Sequence, residues 1–213
     1  MEPLAALLGA SGFVLGLAAD RLATRWPEHD EEHPPGRSVD WRTAVVALVG
    51  ALALGLLPQR FGSDPLAFAI FGAWFVTLIV GLATDLDQRI LPDLLTLPVI
   101  PVALVYALSG ANPLVGQELV PALLAAVAIP AVLYLPSIPF GAGAFGLGDV
   151  KLLIGVGLLA GGSRALGSVF IALLVAGLVL VVLLAARRIG RRSYIPFGPF
   201  FIAGALWAVL LRN

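Results

Sequence analysis

Long apolar segments constrain the fold of this chain more than any other feature. Eight stretches approach the roughly 20 mostly apolar residues that a helix needs to cross a bilayer. They cover about residues 4–22, 42–58, 66–84, 92–109, 117–137, 149–162, 164–186 and 197–211. Charged residues make up only 12% of the chain and its mean hydropathy is +1.00, too little charge to cover a soluble domain. The sequence therefore predicts an all-α, polytopic bundle of about eight transmembrane helices, in a single domain over residues 1–213.

Charge and composition exclude several classes of function. The chain has 13 basic and 13 acidic residues and no net charge, which argues against a nucleic-acid partner. It has no cysteine, which excludes disulfides and thiolate metal sites. His29 and His33 could form a metal site with nearby acids, but a solvated loop is the favoured interpretation. No metal and no cofactor is predicted.

Two features at the N-terminus bear on membrane insertion and packing. The first apolar stretch, Leu4 to Ala19, lacks a basic region before it, so we expect a retained helix and not a secretory signal. Gly12 and Gly16 form a GxxxG pattern that allows close helix packing. A dimer face is the less favoured interpretation of that pattern.

Orientation follows from the lysines and arginines between the apolar segments. With eight helices, the odd-numbered loops hold ten of them and the other side holds three. Positive charge favours the cytoplasmic side. The short polar stretch 23–41, a loop or small hairpin, is therefore predicted to be cytoplasmic, with both termini outside. Asp85 and Asp149 then both lie at the cytoplasmic edge of the bilayer.

Acidic residues near the membrane mark candidate working sites, because burying a carboxylate in lipid is costly. The informative ones are Asp85, Asp87 and Asp93 in ATDLDQRILPDLLTLP, and Asp149 in GAFGLGDVKLL. Plainer interpretations exist for each segment. Asp149 could be a helix N-cap, and Asp85 and Asp87 could belong to an interfacial cluster with Arg89 that ends a helix.

Asp85 and Asp149 together indicate a function more specifically than either residue alone. Two carboxylates at one membrane level can share a proton, because like charges a few ångströms apart cannot both ionise. The ionised member can then activate water, while the protonated member polarises a peptide carbonyl. Gly146 and Gly148 lack Cβ atoms, so a peptide backbone could approach Asp149 closely. These residues predict an aspartyl protease.

Three stretches then give a resemblance to a known family. They are TDLDQRILPDLLTLP at 84–98, GLGDVKLL at 146–153 and YIPFGPFFIAGA at 194–205. The opening GFVLGLAADRL at 12–22 adds a weaker likeness. With these motifs the chain resembles the type IV prepilin peptidases, which are GxGD intramembrane aspartyl proteases. The combination of motifs is specific, whereas GxGD alone is weak.

The resemblance implies a function and roles for named residues. The family removes basic leader peptides from prepilins and pseudopilins at the cytoplasmic face of the inner membrane. Asp85 and Asp149 match its catalytic aspartates, and Asp87, Asp93 and Lys151 match accessory positions. A prepilin or pseudopilin with a basic leader and an apolar helix is the implied partner, together with the lipid bilayer.

The loop at 23–41 departs from the family pattern. Many bacterial members also methylate the new N-terminus with S-adenosylmethionine, and these carry paired CxxC motifs that hold zinc in the loop after the first helix. The corresponding loop here is short and has no cysteine. The departure argues against methylation and predicts a minimal peptidase.

Two other functions remain open at this point. One is a GxGD protease of the presenilin or signal-peptide-peptidase kind, which would cut different substrates. The other is a proton-coupled transporter, since paired membrane carboxylates and broken helices also occur there. Midplane sites and an inverted repeat would favour transport, and the sequence indicates neither.

Overall fold

The computed structural model describes residues 2–31, 34–140, 145–188 and 196–212. These residues form nine α-helices, one short 3-10 helix and no β-strand, which confirms the all-α prediction. The helices are α1 (Glu2–Ala23), α2 (Trp41–Phe61), α3 (Pro65–Gln88), α4 (Asp93–Thr96), α5 (Val99–Leu108), α6 (Leu119–Tyr134), α7 (Leu147–Ala160), α8 (Gly162–Ala185) and α9 (Gly198–Leu210). The 3-10 helix, Leu135–Phe140, follows α6.

The eight predicted apolar segments correspond to these helices, because α4 and α5 together fill the fourth. The break between them falls at Leu97 and Pro98, because Pro98 has no N–H to donate to the Leu94 carbonyl. Five described stretches are long and apolar enough to cross a membrane: Glu2–Ala23, Trp41–Phe61, Pro65–Gln88, Leu119–Pro139 and Gly162–Ala185. The prediction of a polytopic helical fold is confirmed.

Side-chain caps fix where α2 and α3 begin. The Asp40 carboxylate accepts the N–H of Arg42 at 2.8 Å, and the Asp40 N–H donates to Thr43 Oγ1 at 3.4 Å. The Asp64 carboxylate accepts the N–H of Ala67 at 2.9 Å, and a proline follows Asp64 at the first helical position. Such caps satisfy N–H groups that have no partner inside the helix. They set the register of both helices.

The chain divides into two compact units, Met1–Val99 and Ile100–Asn213. In the first unit α1, α2 and α3 pack on one another. Contact between α1 and α2 depends on glycine, since a Cβ atom on Gly12 would lie 2.1 Å from the Gly50 oxygen, and one on Gly16 would lie 2.5 Å from the Val46 oxygen. The GxxxG pattern is therefore used for packing within the chain. That both units form one peptidase domain stays a prediction.

Aromatic side chains fill the contact between α2 and α3. The rings of Phe61 and Phe71 stack with their centroids 4.3 Å apart. Phe75 and Trp74 are buried beside them, with centroids 6.4 Å and 6.1 Å from the Phe71 ring. Ring pairs at these separations add to the free energy gained from burial. They hold α3, which carries Asp85, against α2.

Glycine also sets the helix packing of the second unit. A Cβ atom on Gly157 of α7 would lie 2.5 Å from the Cα of Ala126 in α6. One on Gly204 of α9 would lie 2.3 Å from the Ser168 oxygen in α8. These approaches bring helix backbones into contact, as small residues do in membrane bundles. They fix the position of α7, the helix that carries Asp149.

A buried asparagine joins the end of α7 to the segment before α6. The Asn112 side chain is 1% exposed, donates to the Leu159 oxygen at 3.0 Å and accepts the Leu114 N–H at 2.9 Å. Gly161, which separates α7 from α8, has a φ of +81°, a value that favours glycine. The second unit thus orders the C-terminal end of α7 tightly.

Large apolar side chains remain on the outside of the helices. Leu7 and Val14 of α1 are 64% and 63% exposed, and Phe170 and Leu178 of α8 are 66% and 61% exposed. Exposed apolar side chains of this kind are unfavourable in water and suit the hydrocarbon of a bilayer.

The α1–α2 contact gives a test of the fold. We expect Gly12→Ala to lower the free energy of unfolding by about 1–3 kcal/mol, because the new methyl group meets the backbone of Gly50. Thermal unfolding in detergent measures the change. Gly177→Ala is the matched control, since no atom lies within 4 Å of a Cβ atom there. Equal melting temperatures for the two variants would contradict this packing.

Candidate active site

Asp85 lies inside the last turn of α3. The helix continues to Gln88, beyond the predicted end at residue 84, so Asp85 does not lie at the point where the helix ends. Its side chain is almost fully buried, with 5% of the residue exposed. The Asp85 backbone oxygen accepts the N–H of Arg89 at 2.9 Å, and Arg89 ends the helix with a φ of 58°. The backbone of Asp85 therefore belongs to the turn that ends α3.

Asp87, predicted as an accessory residue, is paired with cations from outside its helix. Its Oδ1 accepts Arg37 Nε at 2.6 Å and lies 3.6 Å from Arg42 Nη1. Its Oδ2 lies 3.4 Å from His29 Nε2. The cluster around Asp87 differs from the predicted one with Arg89, because the partners found for Asp87 come from the loop and from α2.

A second buried carboxylate, Asp20, joins the same cluster and is absent from the residues predicted from sequence. Asp20 is fully buried near the end of α1. It accepts hydrogen bonds from Arg37 Nη2 at 2.5 Å, Thr43 Oγ1 at 2.7 Å and the Arg21 guanidinium. One signal in the sequence could have identified it, because an acid within an apolar segment is costly unless it is paired.

Arg37 connects these carboxylates. Besides Asp20 and Asp87, it donates from Nη1 to Asp40 Oδ1 at 2.6 Å. Burial of the guanidinium tends to lower its pKa, but the hydrogen bonds to Asp87 and Asp20 hold the pKa of Arg37 above its ordinary value. Arg37 therefore acts as a permanent cation between the ends of α1, α2 and α3.

The loop between α1 and α2 is docked, and the prediction of a solvated loop is wrong for two of its residues. The side chains of His29 and Arg37 are only 5% and 15% exposed. Arg37 can be buried because its charge is paired with carboxylates. His29 Nε2 faces Asp87 Oδ2 at 3.4 Å. His33 lies outside the described residues. Within the described part of the chain, no group of three or more His, Cys, Asp or Glu side chains is placed to hold a metal.

Asp93 occupies the first position of the one-turn helix α4. Pro92 precedes it as the N-cap. The Asp93 backbone oxygen accepts the Leu97 N–H at 2.9 Å. The residue is exposed. Asp93 therefore shares the first unit with Asp85 and Asp87 but differs from both in its exposure.

Asp149 is the third residue of α7. The N-cap is Gly146, with extended backbone at φ −78° and ψ 149°, so the interpretation of Asp149 as an N-cap is wrong. Asp149 is 9% exposed, and its Oδ1 is buried without a hydrogen-bond partner among the described residues. A buried polar atom left unpaired costs free energy and is typical of a functional site. Asp149 differs in this respect from the well-paired Asp20 and Asp87.

The glycines beside Asp149 differ from each other. Gly146 is exposed, and a Cβ atom on it would lie 3.5 Å from Asp149 Oδ2, an ordinary contact. Nothing in the described chain therefore requires glycine at 146 for packing. Gly148 lies in the first turn of α7, so only Gly146 presents extended backbone. Lys151 is two residues from Asp149 on the same helix, a spacing at which side chains do not face each other.

Comparisons with known proteins place the chain in a family. The model of the type IV leader peptidase family matches residues 70–182, more than half of the chain. A prepilin leader peptidase/N-methyltransferase of Burkholderia pseudomallei (strain 1026b) is 35% identical over 158 residues, 73% of this chain and 50% of the relative. The protein of the same name in Pseudomonas aeruginosa is 29% identical over 170 residues, 80% of this chain and 58% of the relative.

A third relative has the same name, and the coverage is consistently partial. The Xanthomonas campestris prepilin leader peptidase/N-methyltransferase is 30% identical over 171 residues, 80% of this chain and 56% of the relative. The chain thus spans about half the length of the curated relatives it matches. No solved structure is significantly similar to it. The family match and the apolar helices identify an integral membrane protein, and the chain belongs to the type IV leader peptidase family.

Proposed function

We propose that the chain is a membrane aspartyl endopeptidase that cleaves leader peptides from type IV prepilins or pseudopilins. Family membership supports the reaction class. The observation that carries the proposal is the Asp149 carboxylate, which is buried, lacks a partner for Oδ1 among the described residues and lies beside the exposed backbone of Gly146. Asp85, buried in the last turn of α3, is the second member of the proposed pair.

In the proposed mechanism the two aspartates share one proton. The ionised carboxylate removes a proton from water as the water oxygen attacks the scissile carbonyl carbon. The protonated carboxylate donates a hydrogen bond to the carbonyl oxygen, where negative charge develops. When the C–N bond breaks, a carboxylic acid transfers a proton to the departing amine. The reaction consumes one water and leaves the pair ready for another cycle.

The proposed location of the reaction is the cytoplasmic face of the inner membrane. The excess of lysine and arginine in the odd-numbered loops supports this orientation, with both termini outside. A substrate with a basic leader and one apolar helix would place its scissile bond at the same level as the carboxylates. The lipid bilayer is thus the second partner.

We propose that the product is not methylated by this chain. The loop at 24–40 contains no cysteine, and Arg37 and His29 are engaged with carboxylates of the first unit. The mass of the mature N-terminus after incubation with S-adenosylmethionine tests the proposal. A free amine is the expected product, and a gain of one methyl group would contradict it.

Family membership also bears on the competing functions. The matched family is that of the type IV leader peptidases and not that of the presenilins. Cleavage of a leader-bearing pilin in preference to a residual signal peptide would support our proposal. Proton-coupled transport in liposomes that survives loss of Asp149 would support the transporter instead.

The carboxylate pair gives a prediction about activity. We expect Asp85→Asn and Asp149→Asn each to reduce prepilin cleavage by ~10⁴-fold or more, because an amide cannot accept the proton from water. Cleavage of a purified prepilin in detergent or liposomes, followed by gel mobility and mass, measures the loss. Glu28→Gln, which changes an exposed acid in the loop, serves as the control and should cleave normally. Normal cleavage by either aspartate variant would rule out the pair.

Gly146 gives a prediction about substrate access. We expect Gly146→Val to leave the melting temperature unchanged, since a Cβ atom makes only ordinary contacts there. The same change should lower kcat/KM by about 10²-fold, because the added methyl groups occupy the space through which a peptide would reach Asp149. Gly177→Val, on an open face of α8, is the control. Wild-type kcat/KM for Gly146→Val would show that substrate does not approach there.

A further inference from the structure

The first unit carries a charge cluster with Arg37 at its centre. The cluster consists of Asp20, Asp40, Asp87, Arg21, Arg37 and Arg42. Among the described residues, Arg37 alone contacts all three carboxylates, at 2.5 Å, 2.6 Å and 2.6 Å. Arg21 reaches Asp20, and Arg42 reaches Asp40 and Asp87 only at 3.9 Å and 3.6 Å. The ends of three helices therefore meet at one guanidinium.

The cluster depends on Arg37 because two of its three carboxylates, Asp20 and Asp87, are buried. Asp20 is fully buried and Asp87 is 6% exposed. Removing one partner of a buried ion pair is strongly destabilising, since it leaves an uncompensated charge in a medium of low polarity. A guanidinium has five N–H donors in a planar fork, which allows one side chain to bond three acids at once. A lysine has a single ammonium and cannot reproduce that geometry.

Two more contacts attach the loop to the last turn of α3. The Gln88 side-chain amide donates to the Ala23 oxygen at 3.0 Å and to the Pro27 oxygen at 3.3 Å. His29 Nε2 lies 3.4 Å from Asp87 Oδ2. The first part of the loop thus contacts Asp87 and Gln88, and Arg37 in its last part contacts Asp87. Both residues share the last turn of α3 with Asp85.

We propose that Arg37 is a positioning residue for the carboxylate of Asp85. Through Asp87, Arg37 holds the last turn of α3 against the ends of α1 and α2, and so fixes the direction in which Asp85 projects. The loop at 24–40 thus attaches the end of α3 to the ends of α1 and α2. The inference rests on the proposed peptidase function, because Asp85 is catalytic only there.

The geometry predicts which kinetic constant changes. Asp85 and Asp87 are two residues apart on one helix and do not face each other, so Arg37 acts on Asp85 through the backbone of the turn. Misplacement of a catalytic group by about 1 Å can cost on the order of 10²-fold in rate. Loss of Arg37 should therefore lower kcat and leave KM little changed.

The experiment uses the full chain and two readouts. Prepilin cleavage gives kcat and KM for Arg37→Ala, Arg37→Lys, Asp87→Asn and the double variant Arg37→Ala/Asp87→Asn. Docking of the loop is followed separately by the maleimide labelling rate of Thr24→Cys. Thr24 is buried at the start of the loop, where its backbone oxygen accepts the Gly36 N–H at 2.8 Å. The chain has no native cysteine. Arg25→Ala is the matched control, since Arg25 is an exposed arginine of the same loop.

We expect Arg37→Ala to label faster and to lose between 10-fold and 100-fold in kcat. Arg37→Lys should fall between it and the wild type. The double variant should lose no more than the worse single variant, because the proposed effect on Asp85 passes through the Arg37–Asp87 contact, which either change breaks. Arg25→Ala should match the wild type. If Arg37→Ala fails to accumulate in the membrane, kcat and the labelling rate are compared with the wild type for Arg37→Lys and Asp87→Asn instead.

The outcomes separate this inference from the proposed function. An inactive wild type would overturn the proposed function, and the inference with it, whatever the labelling shows. If the wild type is active and Arg37→Ala, Arg37→Lys or Asp87→Asn has a normal kcat, the inference about Arg37 is overturned and the proposed function is not. Additive losses in the double variant, or an increase in KM with normal kcat, would also overturn it.

Discussion

The contact between Arg37 and three carboxylates is the interaction on which the first unit depends. A chain with so little charge gains most of its stability from apolar packing, and any charge it buries must be paired. Asp20, near the end of α1, and Asp87, near the end of α3, are both buried. Arg37 allows both by bonding to them and to Asp40, the N-cap of α2. The position of α3, and of Asp85 within it, follows from this pairing.

The buried aspartates of this chain differ in how they are satisfied, and the difference separates structure from chemistry. Asp20 and Asp87 accept several charged or hydroxyl donors, which suits residues that hold helices together. Asp149 has one buried oxygen without a partner among the described residues. An oxygen that the protein leaves unpaired can accept a hydrogen bond from a water or substrate that reaches it. Pairing with cations therefore distinguishes an anchoring role from the working role that we propose for Asp149.

Much of the fold could be predicted from sequence, because transmembrane helices follow from hydropathy alone. The eight apolar segments and the loop after α1 were predictable for this reason. Details that depend on single side chains could not be predicted in this way. One such detail is the end of α3, which continues through Asp85 to Gln88 and closes at Arg89. Local signals for such ends are weak, since the residues involved are common in loops.

Part of the candidate site could also be predicted from hydropathy. Asp85, Asp87, Asp93 and Asp149 stand out because acids are rare in apolar sequence. The contacts of Arg37 and His29 could not be predicted, because their partners Asp20 and Asp87 are distant in the chain and only the folded loop brings them together. The charged composition of that loop indicated solvent exposure, whereas pairing with buried acids explains its docking. Long-range ion pairs of this kind leave no periodic pattern in a sequence.

The central claim is that Asp85 and Asp149 act as one pair, and proximity is its most direct test. Asp85→Cys/Asp149→Cys can be treated in membranes with dibromobimane, which fluoresces when it bridges two thiols a few ångströms apart, because the chain has no cysteine of its own. Asp64→Cys/Asp149→Cys is the control, since Asp64 lies at the other end of α3, about 30 Å from Asp85. We expect a fluorescent cross-link in Asp85→Cys/Asp149→Cys and none in the control. An absent cross-link in the first pair, with both cysteines reactive, would contradict it.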